Sequence, residues 1–166
     1  SWQSFYVSAV RFFSSFNDNK YKNAGAREGL NTDGMPEIEV YVSRGREHVD
    51  IMRNLVSEQF TPEYSIKVNI NMVAGSSEGL IMPRYVAGTA PDLAISISPG
   101  NVFEFAIRGA LLDLNRFETK TYSGAEVKGF YDLWKESFYD AEFVPYLYKG
   151  NYYGFPETQN WSALFY

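Results

Sequence analysis

The sequence has 166 residues, enough for one compact domain or one lobe of something larger. It contains no cysteine, which excludes disulfides, iron–sulfur clusters, cysteine–zinc sites and thiol nucleophiles, and its single histidine leaves little scope for metal ligation. Fifteen basic against 20 acidic residues give a net charge of -5, which repels phosphate backbones and argues against nucleic-acid binding.

A chain of this size buries about 70% of its unfolded surface and needs no staple to make a core. Hydrophobic residues make up 45% of it, a globular composition, and aromatics 17%, for which core packing is the default role. No apolar stretch reaches the length of a membrane span, and the amino end lacks a basic-then-apolar leader pattern.

Residues 1–16 place Phe5, Ala9, Phe12, Phe13 and Phe16 at helical spacing, with Ser4 as the expected N-cap. A polar, glycine-containing stretch follows through Pro36 and reads as a connector and a boundary. From Glu37 the rhythm changes. Ile38, Val40 and Val42 alternate as a strand does, and Arg46–Phe60 repeats Val49, Met52, Leu55, Val56 and Phe60 on one helical face, with Thr61-Pro62 as the stop. Ile66, Val68, Ile70 and Met72 form a second strand, and Leu80, Ile81, Tyr85 and Val86 a second helix that Pro83 should start or bend.

Leu93–Ile97 reads as a short buried strand, followed by a helix through Phe103, Ala106 and Ile107. Residues 113–124 are polar, 127–139 read as helical, and Gly150-Asn151 turns into Tyr152–Phe155 before the closing apolar run Ala163–Tyr166. Strand–helix–strand–helix–strand implies an α/β fold, a parallel-rich mixed sheet flanked by helices with right-handed crossovers.

Gly75-Ser76-Ser77-Glu78-Gly79 matches G-x-S-x-G between a strand and a helix, as a nucleophile elbow would. The required histidine does not follow it; His48 precedes it and heads a helix, so a capped helix start is the preferred reading. Neither a calcium loop nor a phosphate loop is complete. What remains is geometric. Ligands of open parallel sheets settle outside the carboxyl ends of the strands, here among Ser43-Arg44-Gly45, Ala74–Ser77 and Ser98–Asn101. The helix starting near Arg46 would aim free N–H groups at the same edge, and the polar run Glu157–Trp161 adds side-chain groups and one flat ring. The same loops read equally well as ordinary polar turns.

Glu37–Val42, Phe60 with Ile66–Asn69, Ala87-Gly88-Thr89-Ala90-Pro91-Asp92-Leu93, Gly109–Leu114 and Gly150-Asn151-Tyr152-Tyr153-Gly154-Phe155-Pro156 occur in the order seen in one family. Together they resemble the amino-terminal lobe of extracellular solute-binding proteins of ABC importers, the maltose-binding-protein-like group. The resemblance covers residues 37–166, and 1–36 fall outside it. It implies a periplasmic-binding-protein-like lobe, incomplete and truncated at the crossover to a missing second lobe, with a solute trapped between the two. It also implies a non-enzyme without cofactor or metal, located outside the cytoplasm and anchored as a lipoprotein through a part outside this sequence.

The implied partners are a small-molecule solute, first a carbohydrate or oligosaccharide, and the membrane permease of an ABC importer. The positions matching solute-contacting loops nominate Ser43, Arg44, Arg46, Glu47, Ser76, Ser77, Pro99, Asn101, Tyr153, Glu157, Gln159, Asn160 and Trp161 as ligand-binding residues. The alternatives are a carbohydrate-active or serine hydrolase using Ser77 or acidic loop residues, and a protein-interaction module built on the aromatic stripe of residues 2–16.

Overall fold

The computed structural model describes residues 33–122 and 125–157. The helix expected over 1–16, most of the connector after it and the apolar run 163–166 lie outside the described residues. Strand β1 (Glu37–Val42) is central. It pairs in parallel with β2 (Lys67–Met72) from Glu37↔Lys67 to Val42↔Met72, and with β3 (Leu93–Ile95) from Val40↔Leu93 to Val42↔Ile95. The spatial order is therefore β2-β1-β3. Alternation sends Ile38, Val40 and Val42 to one face, where they meet Val49 and Met52 of helix α1 (Arg46–Leu55) in a core with Val56, Phe60, Ile66 and Ile70. On β1 between them, Tyr41 is also buried, with the Arg84 guanidinium 5.3 Å from its ring centre.

The helix from Arg46 does not stop at Thr61-Pro62. A π-helical turn, Val56–Phe60, carries it into α2 (Thr61–Tyr64), and it ends only at Ser65, which adopts φ 54. The wider turn fits the proline that follows, since Pro62 offers no N–H and its ring crowds the preceding turn of a regular helix. Pro83 lies inside helix α3 (Glu78–Val86) on an exposed position rather than at its start. Helix α4 (Pro99–Ile107) begins at Pro99, whose fixed φ and missing N–H suit a first helical position. Strand β3 is shorter than the expected 93–97, because Ser96 turns to φ 66 and leaves the ladder.

The helix expected over 127–139 forms only over Phe130–Trp134. A 3₁₀ turn (Leu114–Arg116) leads to the hairpin β4 (Lys120–Tyr122) and β5 (Ala125–Val127), then α5 (Phe130–Trp134) and α6 (Asp140–Phe143). Gly129, the N-cap of α5, marks its start. Its N–H donates to Thr119 Oγ1 at 2.8 Å, and a Cβ there would lie 2.3 Å from the Phe117 carbonyl oxygen. Beyond another 3₁₀ turn (Val144–Tyr146), the hairpin β6 (Leu147–Tyr148) and β7 (Asn151–Tyr152) returns the chain. Phe130 and Phe143 centre a second core with Leu114, Phe117, Tyr131, Leu133, Phe138, Tyr152 and Phe155, so much of the aromatic content is structural. No helix among the described residues is long and apolar enough to cross a membrane.

Gly129→Ala should lower stability by about 1–3 kcal/mol, because the methyl group meets rigid backbone. Urea denaturation followed by fluorescence should show the loss, and an unchanged midpoint would mean that the close approach of the Phe117 carbonyl is not tight in solution.

Candidate functional site

The chain leaves β1 to form β2 on one side and later β3 on the other. This reversal makes a topological switch point, and the edge outside the carboxyl ends of β1 and β3 is the usual ligand position of such sheets. Glu157 occupies it. One carboxylate oxygen accepts from Arg44 Nη2 at 2.9 Å, after β1; the other accepts from the Ser96 N–H at 3.0 Å and the Ser96 hydroxyl at 3.3 Å, after β3. Both partners of the ion pair keep about a third of their side-chain surface, 38% for Arg44 and 34% for Glu157, so each can still reach a ligand.

The loop after β2 joins the same edge. The Ser77 N–H donates to Ser43 Oγ at 2.8 Å, which ties it to the β1 loop. Glu78, the first residue of α3, ties it to the β3 loop: Oε1 accepts from the Ser98 N–H at 2.6 Å and Oε2 from Ser76 Oγ at 3.2 Å. Chiefly that Ser98 backbone bond holds the Glu78 carboxyl below its ordinary value of 4.5. Ser98 in turn caps α4, its Oγ accepting from the Asn101 N–H at 3.4 Å and from Asn101 Nδ2 at 2.9 Å.

Hydrogen bonds in three sets, linked by chain adjacency, thus bring Ser43, Arg44, Ser76, Ser77, Asn101 and Glu157 to one edge. Arg46 and Glu47 are exposed in the first turn of α1, whose N-cap, Gly45, brings no capping side chain to the N–H groups there. Pro99 is exposed at the start of α4. Tyr153 is half-buried in a different ring group, 6.4 Å from Tyr148, which stands edge-on to Phe103. Gln159, Asn160 and Trp161 lie outside the described residues.

Ser77 is fully buried and its Oγ has no hydrogen-bond partner among the described residues. A nucleophile elbow presents an exposed hydroxyl to a base, so this geometry does not match one. Nor does Ser77 cap α3 through its side chain; Ser76 Oγ instead accepts the Glu78 N–H at 3.2 Å. No group of metal-ligating side chains occurs among the described residues.

Sequence reasoning missed Glu78, Ser96 and Tyr146. Burial, together with the charges of Glu157 and Glu142, raises the Tyr146 phenol above its ordinary value. A Cβ on Gly154 would come within 3.0 Å of the Tyr146 ring, so the missing side chain there lets the ring pack under the backbone leading to Glu157. The rim offers guanidinium and hydroxyl donors beside carboxylate and amide acceptors, and its central charges neutralise each other. Such a set suits an uncharged, hydroxyl-rich ligand better than an ion.

No protein-family model and no curated protein matches the sequence. Solved structures do. CpMnBP1 with mannotriose bound is similar over 73% of this chain at 20% identity, with a TM-score of 0.58. The galacto-N-biose-/lacto-N-biose I-binding protein of an ABC transporter from Bifidobacterium longum, in complex with lacto-N-biose, is similar over 76% at 18% identity, with a TM-score of 0.56. What is shared is the fold. It is the α/β, periplasmic-binding-protein-like architecture expected from the sequence, and the matched part amounts to 28% and 29% of the two neighbours' chains.

The lowered pKa of Glu78 makes its tie acid-sensitive. Its contribution is complete above the unfolded value, and it is lost as pH falls through the lower folded value, since the unfolded chain takes the proton first. Below pH 4.5 the melting temperature of the native chain should therefore fall more steeply than that of Glu78→Gln. Parallel acid profiles would show that the carboxylate is not held as described.

Proposed function

We propose that the chain is a non-enzymatic lobe that binds a neutral carbohydrate or oligosaccharide, serving a solute-binding protein of an ABC importer outside the cytoplasm. The observation that carries this reading is the partly exposed Arg44–Glu157 pair at the carboxyl ends of β1 and β3, with Ser96 held against the same carboxylate. Mutual neutralisation leaves directional donors and acceptors without a net charge to attract an ion, and a net charge of -5 over the chain discourages anions further. The two fold neighbours are complexed with mannotriose and lacto-N-biose, both neutral sugars, which supports the same class here.

In this reading Arg44, Asn101 and Glu157 meet sugar hydroxyls, and Ser43, Ser76 and Ser77 hold the loops that carry them. Arg46, Glu47 and Pro99 flank this edge at helix starts. Gln159, Asn160 and Trp161 extend the polar run from Glu157, the indole ring offering a face for the sugar's C–H surface. Tyr153 would contribute an aromatic wall on the α4 side. A second lobe closes over the ligand and excludes water, and the loaded protein delivers its solute to a membrane permease.

Calorimetric titration of the full-length protein with a panel of neutral oligosaccharides tests the reading. At least one sugar should give saturable heat, and Glu157→Ala or Arg44→Ala should weaken it by about 1.5–3 kcal/mol, the size of a hydrogen bond to a charged group. No heat from any sugar, with heat from an ionic solute instead, overturns it.

A further inference from the structure

We propose that Ser96 is a positioning residue that decides which oxygen of Glu157 receives a ligand hydroxyl; the effect on affinity rests on the sugar-binding reading above. Ser96 follows the last residue of β3 and, with φ 66, leaves the ladder. Its N–H donates to Glu157 Oε2 at 3.0 Å, and its hydroxyl donates to the same oxygen at 3.3 Å. Arg44 Nη2 donates to the other oxygen, Oε1, at 2.9 Å.

A carboxylate offers about four lone-pair directions, shared equally between its oxygens. Ser96 takes both on Oε2 and Arg44 takes one on Oε1, and no further donor reaches Glu157 among the described residues. The acceptor direction left over therefore lies on Oε1, beside the guanidinium. Arg44 spends one of its several N–H donors on this pair and keeps the rest. A ligand group seated there gives a proton to Oε1 and accepts one from Arg44. A hydroxyl does both, whereas an ether oxygen only accepts and an ammonium group only donates. Without Ser96 on Oε2, the carboxylate could turn and meet Arg44 through both oxygens, the bidentate form that such pairs favour. Ser96 thus keeps the pair single-bonded and acts on the ligand only through Glu157.

Ser96→Asn and Ser96→Asp test this. Both side chains tolerate a left-handed backbone, and they differ in offering Oε2 a donor or a like charge. In calorimetric titration of the full-length protein with mannotriose, Ser96→Asn should bind within about twofold of the native chain and Ser96→Asp about tenfold more weakly, the order of one hydrogen bond to a charged group. In a Glu157→Ala background this preference for Asn over Asp should disappear. Equal affinities of the two variants in the native background, or a preference of the same size with and without Glu157, would overturn the proposal.

Amide NMR of the full chain supplies a readout that needs neither a ligand nor a change at Ser96. The Ser96 backbone amide should lie at low field because its acceptor is charged. Glu157→Ala should remove that shift, and Arg44→Ala, which frees only the opposite oxygen, should keep it. A Ser96 amide indifferent to Glu157→Ala also overturns the proposal. The expected amide shifts with no mannotriose heat from any variant would establish the hold of Ser96 on Oε2 and count against the sugar reading instead.

Discussion

A single carboxylate shared between two loops sets the geometry of the sheet edge at which the candidate site lies. Glu157 bridges the loops that follow β1 and β3, with Arg44 on one oxygen and Ser96 on the other. An ion pair this exposed contributes at most about 1 kcal/mol to stability, so its value lies in position. Ser96 makes the point. Its φ of 66 is a left-handed conformation that costs a non-glycine residue about 1–2 kcal/mol, and the Glu157 carboxylate offsets part of that cost by accepting its N–H and hydroxyl. The bend ends β3 and turns the following loop toward the rim.

Glu157 reaches that position because the chain before it is anchored. Tyr152 and Phe155 pack into the aromatic core around Phe130 and Phe143, and Pro156 is buried immediately before the carboxylate. Gly154 lets the Tyr146 ring lie against the backbone between them. The second core therefore fixes the end of a segment whose last described residue is the bridge. The first core acts on the other side, where Val49 and Met52 seat α1 on β1 and hold the Ser43-Arg44-Gly45 turn at the sheet edge. Two hydrophobic clusters position one polar rim.

Much of this could be read in the sequence, for identifiable reasons. Ile38, Val40 and Val42 against Glu37, Glu39 and Tyr41 announce a strand by local alternation, and the apolar face of α1 is equally local. The loops after those strands follow from topology, which is why Ser43, Arg44, Ser76 and Asn101 could be named. Glu78 could not, because its partner Ser98 is 20 residues away and the surrounding G-x-S-x-G drew attention to the serines. Ser96 was hidden inside an apolar run, its conformation linked to a carboxylate 61 residues later. The helix expected over 127–139 forms only over Phe130–Trp134, starting late because Gly129 lies against the Phe117 backbone, a contact that local periodicity does not reveal.

The central claim is that solute contacts the rim bridged by Glu157. Hydrogen exchange of the backbone amides, with and without a bound oligosaccharide, measures this most directly. The account predicts ligand-dependent protection concentrated at residues 44–48 and 96–101, with little change in the hairpin of β4 and β5. Protection centred on that hairpin or on the outer face of α3, with the rim unaffected, would contradict it.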